Sequence, residues 1–209
     1  MRSDRGFRGF YGSRTDSRPG LTVAGLRTVR RRLSDPRVRR SIKRILRENV
    51  LCSISTLSDR RRAHIHTAYF AWSPAFDLYF LSAPSSTHAR NLAANPSAAI
   101  AVYRSTQSWG GSDRGLQFFG TCREAMGRDA ERAELLYSER FPRYGRMLAA
   151  ITPSGKRAAR QLRSYRFYRF VPRRIKILDE RAFGGGVFVV ASVRHPKSAR
   201  RPASKRPRR

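Results

Sequence analysis

Apolar segments separated by turn residues dominate the middle of the chain and predict a mainly β fold. Seven of these segments are predicted as strands: residues 50–57, 63–72, 76–82, 98–103, 116–125, 165–178 and 187–193. Gly, Pro, Asp and Ser lie between them, and short strands separated by such residues are typical of antiparallel sheets. Six or seven strands of this kind predict a closed antiparallel barrel.

Helical periodicity replaces the strand pattern in four places. A helix is predicted from residue 34 to 49, where a capping residue and a proline precede apolar positions at helical spacing. Further helices are predicted at 87–94 and 128–141, and residues 146–163 are predicted as partly helical with an interruption at 152–155. The predicted fold class is therefore mainly β (α+β): a closed antiparallel barrel with helices packed outside it.

The net charge of +31 is concentrated toward both ends of the chain. Residues 1–40 carry 12 Arg and three acidic residues, and residues 194–209 carry eight Lys or Arg and no acidic residue. Because clustered like charge opposes a packed core, we expect basic flexible tails at 1–33 and 194–209 around a barrel domain at 34–193. The tails are interpreted either as arms that bind polyanions, such as nucleic acid or acidic membranes, or as solvated arms without a dedicated partner.

The two cysteines predict a reducing environment. Cys52 and Cys122 lie in predicted strands and form neither a Cys-x-x-Cys pair nor a metal-type cluster with the histidines. Two buried, reduced thiols and a cytoplasmic location are expected. No apolar run approaches the roughly 20 residues that span a bilayer, and the first residues lack the apolar core of a secretory signal.

The stretch from Ser82 to Pro96, SAPSSTHARNLAANP, says most about function. A predicted strand ends at its start, and a hydroxyl-rich turn then opens the predicted helix at about Thr87. Free backbone N–H groups at a helix start, with the hydroxyls of Ser85 and Ser86 beside them, suit a phosphate group. The alternative is that one of these serines is only the N-cap of the helix.

Five segments resemble, in order and spacing, the pyridoxamine 5′-phosphate oxidase-like, FMN-binding split-barrel proteins over residues 45–193. They are LCSISTLSDRR, AHIHTAYFAW, DLYFLSAPSSTHARNLAANPSAAIAVY, QSWGGSDRGLQFFGTCREA and YRFYRFVPRRIKILDERAFGGGVFV. The most specific part is Ser-x-x-x-Arg-Asn-Leu-x-x-Asn-Pro followed by the Gly-Leu-Gln-x-x-Gly strand. The resemblance implies a six-stranded barrel and a homodimer that binds FMN at two sites across the dimer interface.

The resemblance also implies which residues contact the cofactor. The strand segment beside the flavin ring would be His66, Thr67, Ala68 and Tyr69. The residues beside the ribityl chain would be Leu81 and Ser82. The phosphate would be held by Ser86, Thr87 and His88, with Asn91 nearby. The residues that approach the ring from later strands or from the other subunit would be Gln107, Trp109 and Gln117.

Two departures from the family pattern change the expected chemistry. Vitamin B6 oxidases have an Arg-Lys pair where this chain has Thr87 and His88. Since a neutral imidazole donates fewer hydrogen bonds than lysine and titrates near pH 6.5, we expect weaker, pH-dependent phosphate binding. The Arg-x-His that grips the vitamer is also missing, because residues 170–174 read FVPRR. Oxidation of pyridoxamine phosphate is therefore not expected.

Several individual residues keep two interpretations. His66 either contacts the flavin or is a rim histidine, and Trp109 either covers the cofactor or packs against the barrel mouth. Gln117 interrupts an apolar strand and is predicted as a buried amide that pairs with the flavin edge or with backbone. His64 and His66 share one face of a strand, but no third ligand accompanies them, so no metal site is predicted.

The resulting functional hypothesis is an FMN-dependent oxidoreductase that passes a hydride between a donor, such as reduced nicotinamide, and a small acceptor. Because the flavin supplies the hydride chemistry, no catalytic side chain has to be recognisable. No nucleophile with a paired base supports hydrolase chemistry. Alternatives are a deazaflavin-dependent reductase on the same barrel, a nucleic-acid-associated binding protein that uses its basic tails, and a non-catalytic flavin or haem carrier.

Overall fold

Eight strands and six helices follow one another in residues 25–194, the part of the chain described by a computed structural model. The strands are β1 (Arg27–Arg32), β2 (Leu51–Leu57), β3 (Ala63–Trp72), β4 (Leu78–Ser82), β5 (Ser97–Tyr103), β6 (Arg114–Glu124), β7 (Arg166–Asp179) and β8 (Val187–Ser192). The helices are α1 (Pro36–Glu48), α2 (Thr87–Ala94), α3 (Arg128–Arg140), α4 (Pro142–Leu148), α5 (Pro153–Ser164) and α6 (Glu180–Phe183). The seven predicted strands correspond to β2–β8.

Six strands close the predicted antiparallel barrel. Their order is β7-β4-β3-β2-β5-β6, and β6 pairs again with β7. The closure depends on the 14-residue strand β7, whose first half pairs with β4 and whose second half pairs with β8. β8 therefore extends the sheet away from the barrel, and β1 adds to β8 in parallel.

The strand β1 corrects the predicted boundary of the N-terminal tail. Residues 27–32 pair with β8 along their whole length, although they were assigned to a flexible segment. Their sequence, RTVRRR, hides the strand because β1 is at the sheet edge, where charged side chains remain in water. Only Val29 of this strand packs against the core. The rest of the predicted tails, residues 1–24 and 195–209, lies outside the described residues.

The sheet bends where β6 and β7 change register. Phe119 pairs with Arg174 but the next residue, Gly120, pairs with Pro172, so β7 contains one extra residue at this point. The two backbones approach so closely here that a Cβ on Gly120 would lie 2.1 Å from the carbonyl oxygen of Val171. Glycine is therefore required at this position.

The helices cover the barrel with two apolar clusters. The first fills the barrel and includes the buried face of α1, whose start is capped by the Asp35 carboxylate and followed by Pro36, as predicted. The second lies under α3 and α4 and includes Tyr137, Tyr144 and Phe167. The interruption predicted at 152–155 is instead the start of α5, because Thr152 caps this helix and accepts from the backbone N–H of Gly155.

Both cysteines are buried and unpaired, as predicted. Burial raises the pKa of the Cys52 thiol to about 12 and also raises that of Cys122, so both are protonated at neutral pH. Within residues 25–194, no helix combines the length and apolarity that crossing a membrane requires.

Candidate functional site

The start of α2 provides a polar cluster at the end of β4. Ser86 is the N-cap, and its hydroxyl oxygen accepts from the backbone N–H of Ala89 at 3.3 Å. The preceding turn is closed by the N–H of Ser86, which donates to the carbonyl of Ala83 at 3.1 Å. The first amides of the helix have no intrahelical acceptor and carry the positive end of the helix dipole. The turn therefore has the local structure predicted from the sequence.

Two serine hydroxyls hold the imidazole of His88 beside this helix start. The Nε2 atom of His88 lies 2.5 Å from the Oγ of Ser82 and 3.0 Å from the Oγ of Ser86. The two hydroxyl oxygens are 3.3 Å apart. The hydroxyl of Ser86 thus both caps the helix and contacts the imidazole of His88.

Arg90 is a cation at the same turn that the sequence analysis missed. Its guanidinium donates to the carbonyl of Ser85 and, at 3.3 Å, to the hydroxyl oxygen of Thr87. The spacing of the sequence could have identified Arg90, because a residue three positions after Thr87 lies on the same face of the predicted helix. Arg90 supplies near the helix start a positive charge that Thr87 and His88 do not have.

Three histidines gather between β3 and α2. The rings of His66 and His88 stack with centroids 3.5 Å apart, and the ring of His64 lies 6.2 Å and 6.3 Å from them. His88 is thus the third potential metal ligand that the sequence analysis lacked, with one nitrogen of each ring within 4.8 Å of the others. The planes of the His66 and His88 rings are nearly parallel, at 9°, so their in-plane lone pairs lie in separate parallel planes and this arrangement suits stacking better than joint coordination.

Two histidines of the cluster, His66 and His88, have lowered pKa values. Burial, followed by the neighbouring His88 and His64, lowers the pKa of His66 to about 4. The pKa of His88 is also lowered, by burial and then by His64. Both ring nitrogens of His66 are buried and have no hydrogen-bond partner among the described residues. Because such atoms are costly to leave unpaired, the cluster is suited to accept a polar or anionic group.

Two of the other predicted flavin contacts on β3, Thr67 and Tyr69, point to the opposite face of the sheet from His66. Strand alternation puts Thr67 and Tyr69 on the outer surface, while Ala68 packs partly against the core. Thr67 begins a row of outer-face residues that continues across the paired strands through Ser53, Ala101 and Gln117. The structure thus divides the predicted segment 66–69 between an inner cluster and an outer face.

The outer face continues into a groove of about 350 Å³. Gln107 and Gln117 both line it, and the side-chain oxygen of Gln107 accepts from the backbone N–H of Arg114 at 2.7 Å. Gln117 is exposed, so its interpretation as a buried amide was wrong: its strand alternates between core and solvent. Trp109 is also fully exposed and does not pack against the barrel mouth.

Two other predicted residues, Leu81 and Asn91, make structural contacts and do not face the histidine cluster. Leu81 packs against the apolar cluster under α3 and α4. The buried Asn91 donates through Nδ2 to the hydroxyl of Thr56 at 3.1 Å, which joins α2 to β2. The structure therefore brings Ser82, which was predicted beside the ribityl chain, into direct contact with His88, which also contacts Ser86; these last two were predicted at the phosphate.

A closed six-stranded antiparallel barrel with a phosphate-compatible helix start after its β4 strand defines a split-barrel protein. The family described as pyridoxamine 5′-phosphate oxidase matches residues 38–179, which is more than half of the chain. The chain belongs to this family. No curated protein matches it.

Solved structures share the barrel at low sequence identity. The conserved hypothetical protein Rv2991 from Mycobacterium tuberculosis is 18% identical, with a TM-score of 0.53 over 68% of this chain and 85% of that one. A haem-binding protein from Mycobacterium smegmatis is 15% identical, with a TM-score of 0.55 over 73% of this chain and 55% of that one. A putative 5-nitroimidazole antibiotic resistance protein from Bacteroides thetaiotaomicron is 10% identical, with a TM-score of 0.50 over 65% and 80%. At these identities the likeness concerns the fold alone.

Proposed function

We propose that the protein binds a phosphorylated flavin, with FMN as the first candidate, and uses it as an oxidoreductase on a small acceptor. The observation that carries this proposal is the cluster of Ser82, Ser86, His88 and Arg90 at the start of α2. Hydroxyl donors, free helix amides and one guanidinium are together suited to a phosphate dianion. The flavin, when bound, supplies the hydride chemistry, and the chain binds and orients it.

The lowered pKa values of His66 and His88 fit this proposal, because a nearby anion would raise them again. Without an anion, protonation of His66 adds a buried positive charge beside two other imidazoles. A phosphate dianion at the cluster would offset that charge and raise the pKa of both His66 and His88. The unpaired nitrogens of His66 would then have an acceptor or a donor within reach. The site would therefore take up a proton when it binds the phosphate dianion.

The outer face supports the proposed homodimer with the cofactor at its interface. Leu51 pairs with Tyr69 in the sheet, and Ile65 lies two rows further on the same face. All three side chains are exposed, as is Tyr103 on the neighbouring strand β5. Exposed apolar residues that cluster on one surface mark interaction sites. A second copy of the chain on this face would cover them and bring its own loop, with Trp109, toward the ring end of the cofactor.

The test compares FMN with riboflavin, which has the same ring but no phosphate. Binding is measured by quenching of flavin fluorescence for the wild-type chain, R90Q and the matched exposed control R60Q. Because a hydrogen bond to a charged group contributes about 1.5–3 kcal/mol, we expect R90Q to weaken FMN binding by about 10- to 100-fold. Riboflavin binding should be weak and equal in all three proteins.

Two results would overturn the proposal. Equal affinity for FMN and riboflavin would show that no phosphate anchor exists, and an unchanged FMN affinity in R90Q would remove this guanidinium from the site. A deazaflavin coenzyme is titrated in parallel, because the same anchor would hold its phosphate. Haem is titrated as well, since the related fold from M. smegmatis belongs to a haem-binding protein. Uptake of haem without uptake of either flavin would identify a carrier.

A further inference from the structure

Two rows of basic residues cross the edge of the sheet formed by β7, β8 and β1. In the first row Arg32 pairs with Ser192, which pairs in turn with Arg174. In the second row Arg30 pairs with Val190, which pairs with Lys176. Both rows point to the same face, because their members are two residues apart along each strand.

These rows form a groove with basic walls. Long cationic side chains stand on β1 and β7, while the shorter Val190 and Ser192 on the middle strand β8 form the floor. Basic residues in one wall are separated by about 6.7 Å along the strand, and the two walls by about 9.6 Å across two strand spacings. The open cavity on this face measures about 990 Å³.

The lining of this cavity is basic and contains no acidic residue. Its arginines are Arg30, Arg31, Arg32, Arg39, Arg174 and Arg194. None of these six forms an ion pair within residues 25–194. Two are held by other contacts: Arg174 lies 4.5 Å above the ring of Phe119, and Arg39 donates to the carbonyl of Pro74. We call this surface the arginine groove.

We infer that the arginine groove binds the phosphodiester backbone of nucleic acid, without sequence specificity. Six guanidinium groups line this cavity, and three of them, those of Arg30, Arg32 and Arg174, stand on its two walls. This is more positive charge than one phosphate can neutralise, and it matches a ligand with a phosphate at regular intervals. The planar fork of arginine donates two parallel hydrogen bonds to phosphate oxygens. This site belongs to the folded sheet of β7, β8 and β1 and is independent of both the basic tails and the proposed flavin site at α2.

The shape of the groove favours nucleic acid over an acidic membrane. A peripheral membrane site combines basic residues with exposed large apolar side chains that enter the lipid. None of the residues that line the arginine groove is an exposed large hydrophobic residue. A floor recessed between two walls also receives a narrow polyanion better than a flat lipid surface.

The experiment uses the full-length wild-type chain and three triple variants that keep the same tails. The triple variant R30Q/R32Q/R174Q removes three charges from the groove, and R128Q/R143Q/R157Q removes three exposed charges from the helical side. Binding of a fluorescent 20-base-pair duplex of mixed sequence is measured by anisotropy between 50 and 200 mM salt. Each phosphate contact contributes about −0.9 to the slope of log K against log salt. The slope of log K against log salt should therefore be less negative by about 2.7 for the groove variant than for the wild type.

The helical control should lose less than about 1 from the slope, since it changes only the long-range field. A lysine version, R30K/R32K/R174K, should recover most of the slope, which separates lost charge from a folding defect. FMN uptake should be the same in all variants. Equal slopes in the groove and control variants would assign binding to the tails and overturn the inference. Failure to bind duplex, or tighter binding to anionic vesicles than to duplex, would also overturn it.

Discussion

Because His66 is neutral in the folded protein, we expect the free energy of unfolding to fall at acid pH. The single substitution H66Q should remove this part of the pH dependence. The pKa of this imidazole falls from its ordinary value of 6.5 to about 4 in the folded protein, first because it is buried. The unfolded chain therefore binds a proton below pH 6.5 that the folded chain does not bind until about pH 4. Since protons then favour the unfolded state, the free energy of unfolding falls as the pH is lowered through this window.

The size of the effect follows from the width of the window. Each pH unit below 6.5 costs up to about 1.4 kcal/mol, which gives about 2 kcal/mol at pH 5. His66 is only half buried, so solvent screening reduces this figure to about 1 kcal/mol. The substitution H66Q keeps a polar side chain of similar size and abolishes the titration. The variant should therefore lose about 1 kcal/mol less than the wild-type chain between pH 7 and pH 5.

Urea unfolding at pH 7, 6 and 5 measures this difference directly. H64Q is the control, because it removes an imidazole from the same cluster but leaves the main cause of the shift, the burial of His66, in place. If wild type and H66Q show parallel loss of stability with pH, the imidazole is not held neutral and the description of the cluster is wrong. Sulfate, which remains a dianion at pH 5, should reduce the acid loss in the wild type more than in H66Q.

Four further substitutions test the helix cap, the close approach in the sheet and the buried ion pair. S86A should lower the free energy of unfolding by about 1 kcal/mol in urea melts, because α2 loses its cap; an unchanged midpoint would contradict this role. G120A should cost about 3 kcal/mol in the same assay, since its Cβ has no space, and a cost below 1 kcal/mol would show that β7 shifts freely. Arg169 forms ion pairs with the buried Asp77 and the exposed Asp129. D77A should therefore lower the free energy of unfolding by about 3 kcal/mol, and D129A by less than 1 kcal/mol. Similar losses in the two variants would contradict this difference in burial.

Local signals explain why much of the fold was predictable. The start of α2 was predicted at residue 87 because a serine cap and a terminal Asn-Pro pair lie within the same short stretch, residues 86–96. The core strands alternate strictly or run continuously apolar, and their order allowed only a few barrel connections. Ser86 and His88 could likewise be predicted to lie together, because they are only two positions apart in the sequence.

Features that depend on distant pairing were not predictable. The strand β1 has an unfavourable sequence and exists because β8 offers it an edge. The third histidine of the cluster comes from a helix 22 residues beyond His66, and only the folded barrel brings the rings to 3.5 Å. Gln117 was misread because strand alternation fixes which side chains share a face but not which face is buried. Each of these cases needed the partner strand or helix to be placed first.

The two proposed ligands differ in charge, and salt therefore separates them. A duplex that meets six guanidinium groups in the arginine groove would lose about a thousandfold in affinity between 50 and 200 mM salt. A single phosphate at α2 meets one guanidinium, that of Arg90, and several neutral donors, so the same change should weaken FMN by less than about tenfold. A chain that lost both ligands in parallel would be binding them through its general positive field. In that case neither the helix start nor the groove would be a site in its own right.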